Sequence, residues 1–371
     1  MRVLICGAGV IGASIARFLA RRGVGVTVIE RSAVACAASG KSGGFLALDW
    51  CDGTPLQQLA RRSFALHASL AEDLGNAWSY RRMTTYGGFA ADHAAARGRQ
   101  PRQVGWVADD VTLTGQLGAP ATTAQVHPGR FTAALMADAQ ARGAELRTGQ
   151  VAGLVRESDG SRVCGVRVDG EVIAGDAVVI AMGPWSILAA AWLPLPPVFG
   201  LKGHSLVFET GDEVPAEALF LDYREAGGAA LSPEVFPRAD GTTYVCAISS
   251  ESPLPVDPAE VAPDPGAMER LQLLCARLSP ALRADRIRAR QACFRPVTRD
   301  NLPLIGPVPG VAGAYVATGH SVWGILNAPA TGEAMAELIV DGAARTVDLT
   351  PFDPGRLPPL RPPARSEAGP G

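Results

Sequence analysis

The sequence RVLICGAGVIG at residues 2–12 decides the fold of this chain of 371 residues. Its first five residues form an apolar run with β-branched side chains, which predicts a buried strand. Gly7, Gly9 and Gly12 follow that strand directly, and residues 13–22 have helical periodicity. The stretch therefore predicts a strand, a tight turn and a helix in immediate succession.

A second apolar run at residues 25–29, closed by Glu30, completes this unit. The combination is the fingerprint of a dinucleotide-binding βαβ unit: its glycines serve the turn, the backbone approach to a pyrophosphate and the packing of helix on strand. The helix N-terminus offers N–H groups to phosphates, and Glu30 can accept hydrogen bonds from a ribose hydroxyl. The fingerprint does not by itself distinguish NAD from FAD.

Composition excludes several classes of protein. The net charge is −2 with acidic and basic residues interspersed, which argues against a nucleic-acid-binding protein. An apolar fraction of 47% and a charged fraction of only 19% argue against disorder. A chain of this length usually forms about two domains.

The cysteines and histidines give no sign of a disulfide framework or a metal site. The 7 cysteines contain no C-x-x-C pair, and the 5 histidines lack ligand spacing. The apolar run at residues 3–16 is too short to span a bilayer, and no other segment approaches the required length. We therefore expect a soluble, cytoplasmic protein without membrane insertion.

The remaining pattern separates two regions. A helix is predicted at residues 126–142, followed by strands at 145–148, 151–156, 163–168, 171–174 and 177–181. The region 200–302 differs, with strands at 204–209 and 243–249, a Pro/Asp-rich linker at 253–265 and an amphipathic helix at 268–278. It indicates a substrate domain with an antiparallel sheet. A last helix is expected to start near Ala328.

The stretch AASGKSGG at residues 37–44 offers small residues, hydroxyls and consecutive N–H groups, which suit a second length of an extended cofactor. Taken alone, it reads equally well as a mobile polar loop. It also holds Lys41, one of only two lysines in the chain; the other is Lys202.

Five stretches occur in a fixed order: GAGVIG…VIER, SGKSGG, VVIAMGPWS, RPVTRDNLPLIG and TGHSVWGI…APATGEAMAELI. Over roughly residues 1–350 the set resembles the FAD-dependent D-amino-acid oxidase family, which includes glycine, sarcosine and D-amino-acid oxidases and dehydrogenases. The chain looks closest to a poorly defined branch of that family.

The resemblance implies an α/β fold of two domains. A Rossmann-like FAD domain would be assembled from residues 1–80, 127–200 and 293–350. A substrate domain with an antiparallel sheet would be inserted as residues 81–126 and 201–292, and residues 351–371 would form an extended tail.

The resemblance also implies which residues hold FAD. The first helix would hold the pyrophosphate, residues 39–43 would line the phosphate and ribityl path, and the 319–326 loop would face the isoalloxazine. The expected contacts are Gly7, Gly9, Val10, Ile11, Gly12, Glu30, Arg31, Ser39, Lys41, Ser42, Gly43, Val151, Gly183, Trp185, Gly319, His320, Gly324, Ile325 and Leu326.

Arg295 matches the family's arginine in the R-P stretch and is the candidate for substrate recognition. A guanidinium can bind a carboxylate through two parallel hydrogen bonds, which suits an amino acid. The alternative is a structural ion pair with Asp300. His320 and Trp323 are expected near the flavin, where they would shape the pocket or tune the ring, and simple packing is an equal alternative for Trp323.

Four further positions stay open. Family members often carry a tyrosine near Glu234, which suggests an altered pocket, although Glu234 and Tyr223 also fit ordinary surface or core positions. Cys293 matches a region where one branch bonds its flavin covalently, but the surrounding ACFRP favours a buried free thiol. The role of Lys202 is undetermined.

The reaction implied by the resemblance is oxidation of the C–N bond of an amino acid or amine by hydride transfer to flavin. Oxygen would be the acceptor, giving an imine and hydrogen peroxide. Two alternatives remain: a dehydrogenase that uses another acceptor, and an FAD-stabilised interaction protein with little catalysis. The oligomeric state is not indicated.

Overall fold

The computed structural model describes residues 1–91 and 104–360. The strands are β1 (Arg2–Cys6), β2 (Gly25–Glu30), β3 (Phe45–Ala47), β4 (Arg81–Arg82), β5 (Thr84–Ala91), β6 (Thr112–Gly118), β7 (Thr123–Gln125), β8 (Glu145–Thr148), β9 (Val151–Arg156), β10 (Val163–Val168), β11 (Glu171–Ala174), β12 (Ala177–Ile180), β13 (Phe199–Glu209), β14 (Glu217–Arg224), β15 (Ala230–Leu231), β16 (Glu234–Pro237), β17 (Thr242–Ser250), β18 (Ile287–Val297), β19 (Leu304–Pro307) and β20 (Ala314–Thr318). The helices are α1 (Val10–Arg21), α2 (Ala38–Lys41), α3 (Gln57–Asp73), α4 (Pro128–Ala141), α5 (Ala267–Leu278) and α6 (Gly324–Asp341).

The first sheet has the strand order β19-β20-β12-β1-β2-β8, and β1 pairs in parallel with both β2 and β12. Val3 and Ile5 of β1 pack against a core formed with α1, α3, α4 and α6. Leu4 and Cys6 point to the other face, toward the small sheet β11-β10-β9. Because both faces are covered, the strand is a continuous apolar run, as the sequence predicted.

The second sheet has the order β18-β13-β17-β16-β14-β5-β6, with β15 paired to β14. Its strands are antiparallel except for β5 and β14, which run parallel. One face packs on α5, and the other faces the first sheet. The α/β class with a Rossmann-like domain and a largely antiparallel second sheet is therefore confirmed.

The segments predicted for each domain stay a prediction. All six strands of the first sheet fall inside the segments expected for the FAD domain. Strands β13 and β18 of the second sheet, however, continue across the expected boundaries at 200/201 and 292/293.

Residues 351–360, the described part of the expected extended tail, are folded against the rest of the chain. Phe352 is fully buried, and Arg356 forms an ion pair with Asp300 at 2.7 Å. Two 3-10 turns, Thr350–Phe352 and Pro354–Arg356, hold this stretch on the first sheet's domain. Residues 361–371, where the tail was expected to be loose, lie outside the described residues.

The last helix begins at Gly324, four residues before the expected start near Ala328, and it continues through Pro329. A proline lacks the N–H that would bond to Ile325, so a helix interior normally resists it. Here His67 of α3 bonds through Nε2 to the carbonyl oxygens of Ile325 at 3.0 Å and Leu326 at 3.2 Å. The side chain of one helix thus replaces the bond that the proline removes from another.

Among the described residues, no helix is long and apolar enough to cross a bilayer. The same part of the chain holds no group of three or more histidine, cysteine, aspartate or glutamate residues that could bind a metal ion.

This replacement bond makes stability sensitive to acid. Burial lowers the pKa of His67 from 6.5 to about 4, and its Nδ1 has no partner among the described residues. Below about pH 6.5, His67 therefore takes up a proton in the unfolded chain, whereas in the folded chain it stays neutral until the pH approaches 4. Stability contributed by this neutral imidazole is present above pH 6.5 and is lost as the pH falls toward 4.

We expect the free energy of unfolding to be about 2 kcal/mol lower at pH 5 than at pH 7 because of His67 alone. Denaturant unfolding followed by circular dichroism at both pH values measures this difference. His67→Gln keeps an N–H donor but does not titrate, so its pH dependence should be smaller by that amount. Equal pH dependence in the two proteins would contradict the assignment.

Candidate functional site

A cavity of about 390 Å³ lies between the two sheets, in the size range of ligand pockets. Cys6, Glu30 and Met182 line it at the carboxyl ends of β1, β2 and β12, and Thr318 does so at the end of β20. Ligands of open parallel sheets bind at this end of the strands. The second sheet supplies the opposite wall.

The glycines of the first turn bring backbone against backbone. Gly7 has a φ of +106°, and a Cβ there would lie 2.5 Å from the carbonyl oxygen of Ala181. A Cβ on Gly12 would lie 2.0 Å from the carbonyl oxygen of Gly7. Gly7 and Gly9 line the cavity, whereas Gly12 does not. Gly12 therefore serves the packing of the turn rather than a contact from the cavity wall.

The first turn of α1 is held by the loop that contains α2. The backbone N–H of Val10 donates to the Ser39 hydroxyl at 2.9 Å, so Ser39 takes one of the N–H groups at the helix N-terminus. Val10, Ile11 and Ser39 all line the cavity beside these groups. An anion is favoured at such a helix end.

Glu30 lies at the end of β2, where it accepts hydrogen bonds from the backbone N–H groups of Ala8 at 2.8 Å and Ser32 at 3.0 Å. These bonds hold its carboxylate beside the glycine turn. Val151 lines the same end of the cavity from the start of β9.

The segment of residues 255–258, which falls in the expected Pro/Asp-rich linker, borders this end of the cavity through Val256 and Pro258. Arg31 donates to the carbonyl oxygen of Val256 at 3.0 Å and pairs with Asp257 at 3.2 Å. The indole N–H of Trp185 donates to the carbonyl oxygen of Pro255 at 2.8 Å. This 255–258 segment thus connects the part of the chain that forms the second sheet with Arg31 and Trp185, which belong to the domain of the first sheet.

The 37–44 loop is attached to the second sheet. Arg238 donates to the carbonyl oxygen of Ser42 at 2.9 Å, and a Cβ on Gly43 would come within 2.3 Å of the Phe236 ring. Lys41, at the end of α2, does not itself line the cavity, and its Nζ donates to the carbonyl oxygen of Ala292 at 3.3 Å. A direct contact of Lys41 with FAD stays a prediction.

The turn before α6 contributes His320, which is buried. Its Nε2 lies 3.0 Å from the hydroxyl of Thr331, and burial lowers its pKa to about 3, so the imidazole is neutral near pH 7. Trp323 is partly buried and both lines the cavity and packs on the core. Leu326 is buried in that core and does not line the cavity.

Arg295 extends from β18 along the second sheet's face, where its guanidinium donates to the Ser249 hydroxyl at 3.1 Å. A Cβ on Gly203 of the neighbouring β13 would lie 3.3 Å from the guanidinium, so the glycine leaves room for it. The alternative ion pair with Asp300 is wrong, because Asp300 binds Arg356. Arg295 lines the cavity instead.

The predicted residues that line the cavity are Gly7, Gly9, Val10, Ile11, Glu30, Arg31, Ser39, Ser42, Gly43, Val151, Gly183, Trp185, Arg295, Gly319, His320, Trp323, Gly324 and Ile325. Gly12, Lys41 and Leu326 do not. The individual contacts of all these residues with FAD stay a prediction.

An aromatic wall of the cavity was not foreseen from the sequence. It consists of Phe45, Trp50, Phe220, Phe236 and Tyr244. The centroid distance is 5.1 Å for Phe45 and Trp50, 5.2 Å for Phe45 and Phe236, and 4.7 Å for Trp50 and Phe220. Alternation along the strands shows which residues share a face, but it does not show that the face meets a cavity.

Glu234 also lines the cavity, so an ordinary surface or core position does not describe it. The thiol of Cys246 lies 3.4 Å from its carboxylate. Cys293 is half-buried on the same wall as a free thiol, and burial raises its pKa.

Lys202 and Tyr223 lie elsewhere. Lys202 forms an ion pair with Asp264 at 2.6 Å and stacks over Phe294, and it does not line the cavity. Its bond and that of a serine hydroxyl lower the pKa of Asp264 to about 2. Tyr223 is buried in the core between the second sheet and α5.

The residues present fit FAD. Gly7 and Gly9 form a glycine cradle that lines the cavity at the N-terminus of α1, where bare backbone lets a pyrophosphate approach the helix N–H groups. Two buried polar atoms on the cavity wall, Ser42 Oγ and His320 Nδ1, have no hydrogen-bond partner among the described residues. The cavity continues from Glu30 past the cradle to Arg295, as an extended dinucleotide with a substrate beyond it requires.

Comparison with known proteins agrees with this geometry. A family model described as FAD dependent oxidoreductase matches residues 2–338. A Schizosaccharomyces pombe protein named as an oxidoreductase is 27% identical over 378 residues, which cover 95% of this chain and 97% of that protein. The glycine oxidase of Pseudomonas aeruginosa is 30% identical over 379 residues, which cover 96% and 99%.

The crystal structure of glycine oxidase from Geobacillus kaustophilus superposes with a TM-score of 0.76 at 26% identity, covering 96% of this chain and 99% of that one. The match of the family model to most of the chain, together with a cavity that fits the cofactor, leads to one conclusion. This chain belongs to the D-amino-acid oxidase family of FAD-dependent oxidoreductases, and FAD is its cofactor.

Proposed function

We propose that this enzyme oxidises the C–N bond of an amino acid or a related carboxylated amine. The observation that carries the proposal is the position of Arg295, which lines the same cavity as the glycine cradle. Within residues 1–91 and 104–360, its guanidinium has one hydrogen-bond partner, the Ser249 hydroxyl. Two of the similar proteins are named glycine oxidase, a name that states oxidation of an amino acid.

Bound FAD would accept a hydride equivalent from the substrate carbon that carries the amine. The chain's own residues position that carbon. Arg295 would hold the carboxylate through its unused N–H groups, which fixes one end of the substrate. The aromatic wall would exclude water around the other end, and the neutral His320 adds no charge to the wall.

The proposed acceptor is oxygen, which would give hydrogen peroxide, while the imine product would hydrolyse in water. Anaerobic addition of glycine, D-amino acids, N-methyl amino acids and simple amines should bleach the flavin absorbance for at least one carboxylated compound. Peroxide on admission of air would support an oxidase, and its absence would favour a dehydrogenase. If none of these compounds bleached the flavin, the proposal would fail and an interaction protein would be the better account.

Arg295→Ala should slow anaerobic flavin reduction by a carboxylated substrate about 100-fold or more, because a buried charge pair is lost. Stopped-flow absorbance at subsaturating substrate measures this rate. The matched control is Arg290→Ala on the same strand, since Arg290 is exposed and bonds to Gln272 of α5. An Arg295→Ala protein reduced as fast as the control would refute the carboxylate role.

Lys41→Met should weaken retention of FAD. The lysine bridges α2 to the carbonyl of Ala292, and this bridge holds the loop that contributes Ser39 and Ser42 to the cavity. The flavin-to-protein absorbance ratio after extensive dialysis measures retention, and Lys41→Arg, which keeps a cationic donor, should retain more flavin. Unchanged flavin content in Lys41→Met would contradict this role.

A further inference from the structure

Two ionisable side chains of opposite type, those of Arg295 and Glu234, line the same cavity without forming an ion pair. Arg295 extends from β18 across Gly203 to the Ser249 hydroxyl on β17, and Glu234 stands on β16, the next strand of the sheet. The structure describes both residues, and no guanidinium nitrogen of Arg295 lies within 4.0 Å of a carboxylate oxygen of Glu234.

The carboxylate of Glu234 is poorly satisfied by the protein. Its side-chain donor is the thiol of Cys246 at 3.4 Å, and a thiol is a weak donor. Buried carboxylates are normally paired with a cation or with several N–H groups. Burial raises the pKa of Glu234, while the charge of Arg295 opposes that rise.

The surroundings of Glu234 are apolar. Phe236, two residues along the same strand face, and Tyr244, two residues before Cys246 on β17, stack with parallel rings at a centroid distance of 6.1 Å. Both rings line the cavity. On this side of the cavity, a charged group of a ligand therefore meets Glu234 and Arg295 among aromatic rings and the thiols of Cys246 and Cys293, and low polarity there strengthens each interaction.

We propose that Glu234 binds the ammonium group of the substrate while Arg295 binds its carboxylate, so that the cavity selects zwitterionic amino acids over carboxylates that lack an amine. The inference rests on the proposed function and names the substrate class of the same site. Glu234 is then a specificity-determining residue, because the same anion that attracts an ammonium group reduces the pull of Arg295 on a plain carboxylate.

The test uses a pair of ligands that differ only in charge. 2-Aminoisobutyrate is a zwitterion without a hydrogen on its α-carbon, so it can bind without being oxidised there, and pivalate replaces its ammonium group with a methyl group. Titration of the holoenzyme, followed by the perturbation of the flavin visible spectrum, gives a dissociation constant for each. The wild-type protein should bind 2-aminoisobutyrate more tightly than pivalate.

Glu234→Gln should weaken binding of 2-aminoisobutyrate by about 10- to 100-fold, because a charged hydrogen bond is lost. Binding of pivalate should be unchanged or tighter. The control is Glu209→Gln, an exposed carboxylate on β13 of the same sheet that pairs with Arg288 and should leave both constants as they are.

A purely structural role for Glu234 predicts something else, namely that Glu234→Gln weakens both ligands together. That result would overturn the inference, as would a wild-type protein with no preference for the zwitterion. If Glu234→Gln does not hold flavin, Glu234→Asp keeps the charge at shorter reach and should retain part of the preference, and its complete loss there would also overturn the inference. Failure of the proposed function is distinguishable, because it appears as absence of flavin reduction by every amino acid.

Discussion

The contact on which the structure depends is the one between backbone groups where β1 turns into α1. A side chain on Gly12 would overlap the carbonyl of Gly7, and one on Gly7 would overlap the carbonyl of Ala181. Bare backbone therefore allows β1, β12 and the first helix to converge at one point. The ends of the parallel strands then open onto the cavity, and the wall residues that these strands contribute are fixed relative to that point.

The second sheet completes the site in the same way, because glycines allow other groups to approach closely there too. Gly43 allows the loop after α2 to pass against the ring of Phe236, and Gly203 leaves room for the guanidinium of Arg295. Neither sheet encloses the cavity alone, since the first supplies the glycine cradle and Glu30, and the second supplies Arg295, Glu234 and the rings of Phe220, Phe236 and Tyr244. The chemistry proposed for the chain is accordingly a property of the interface between the two sheets.

Local pattern was enough for much of the fold. The strands Glu145–Thr148, Val151–Arg156, Val163–Val168 and Glu171–Ala174 have the bounds predicted from the sequence, because alternation and flanking glycines are encoded within each segment. Contacts between distant segments could not be read in this way. The helix α6 accommodates Pro329 through a bond from His67 of another helix, and the pairing of Asp300 with Arg356 rather than with Arg295 arises only in the folded chain. Likewise, the sequence shows that Glu234 and Phe236 share a strand face, and only the assembled sheets show that this face borders a cavity.

The contacts of the 255–258 segment make one part of the cavity wall sensitive to salt. The segment borders the cavity through Val256 and Pro258, and it is held by the ion pair of Arg31 with Asp257 and by the bond from the Trp185 indole. The ion pair is partly exposed, and dissolved salt screens such pairs. The attachment of this segment to the first sheet's domain therefore weakens as ionic strength rises, whereas the bond from the Trp185 indole, which joins two neutral groups, is much less sensitive to salt.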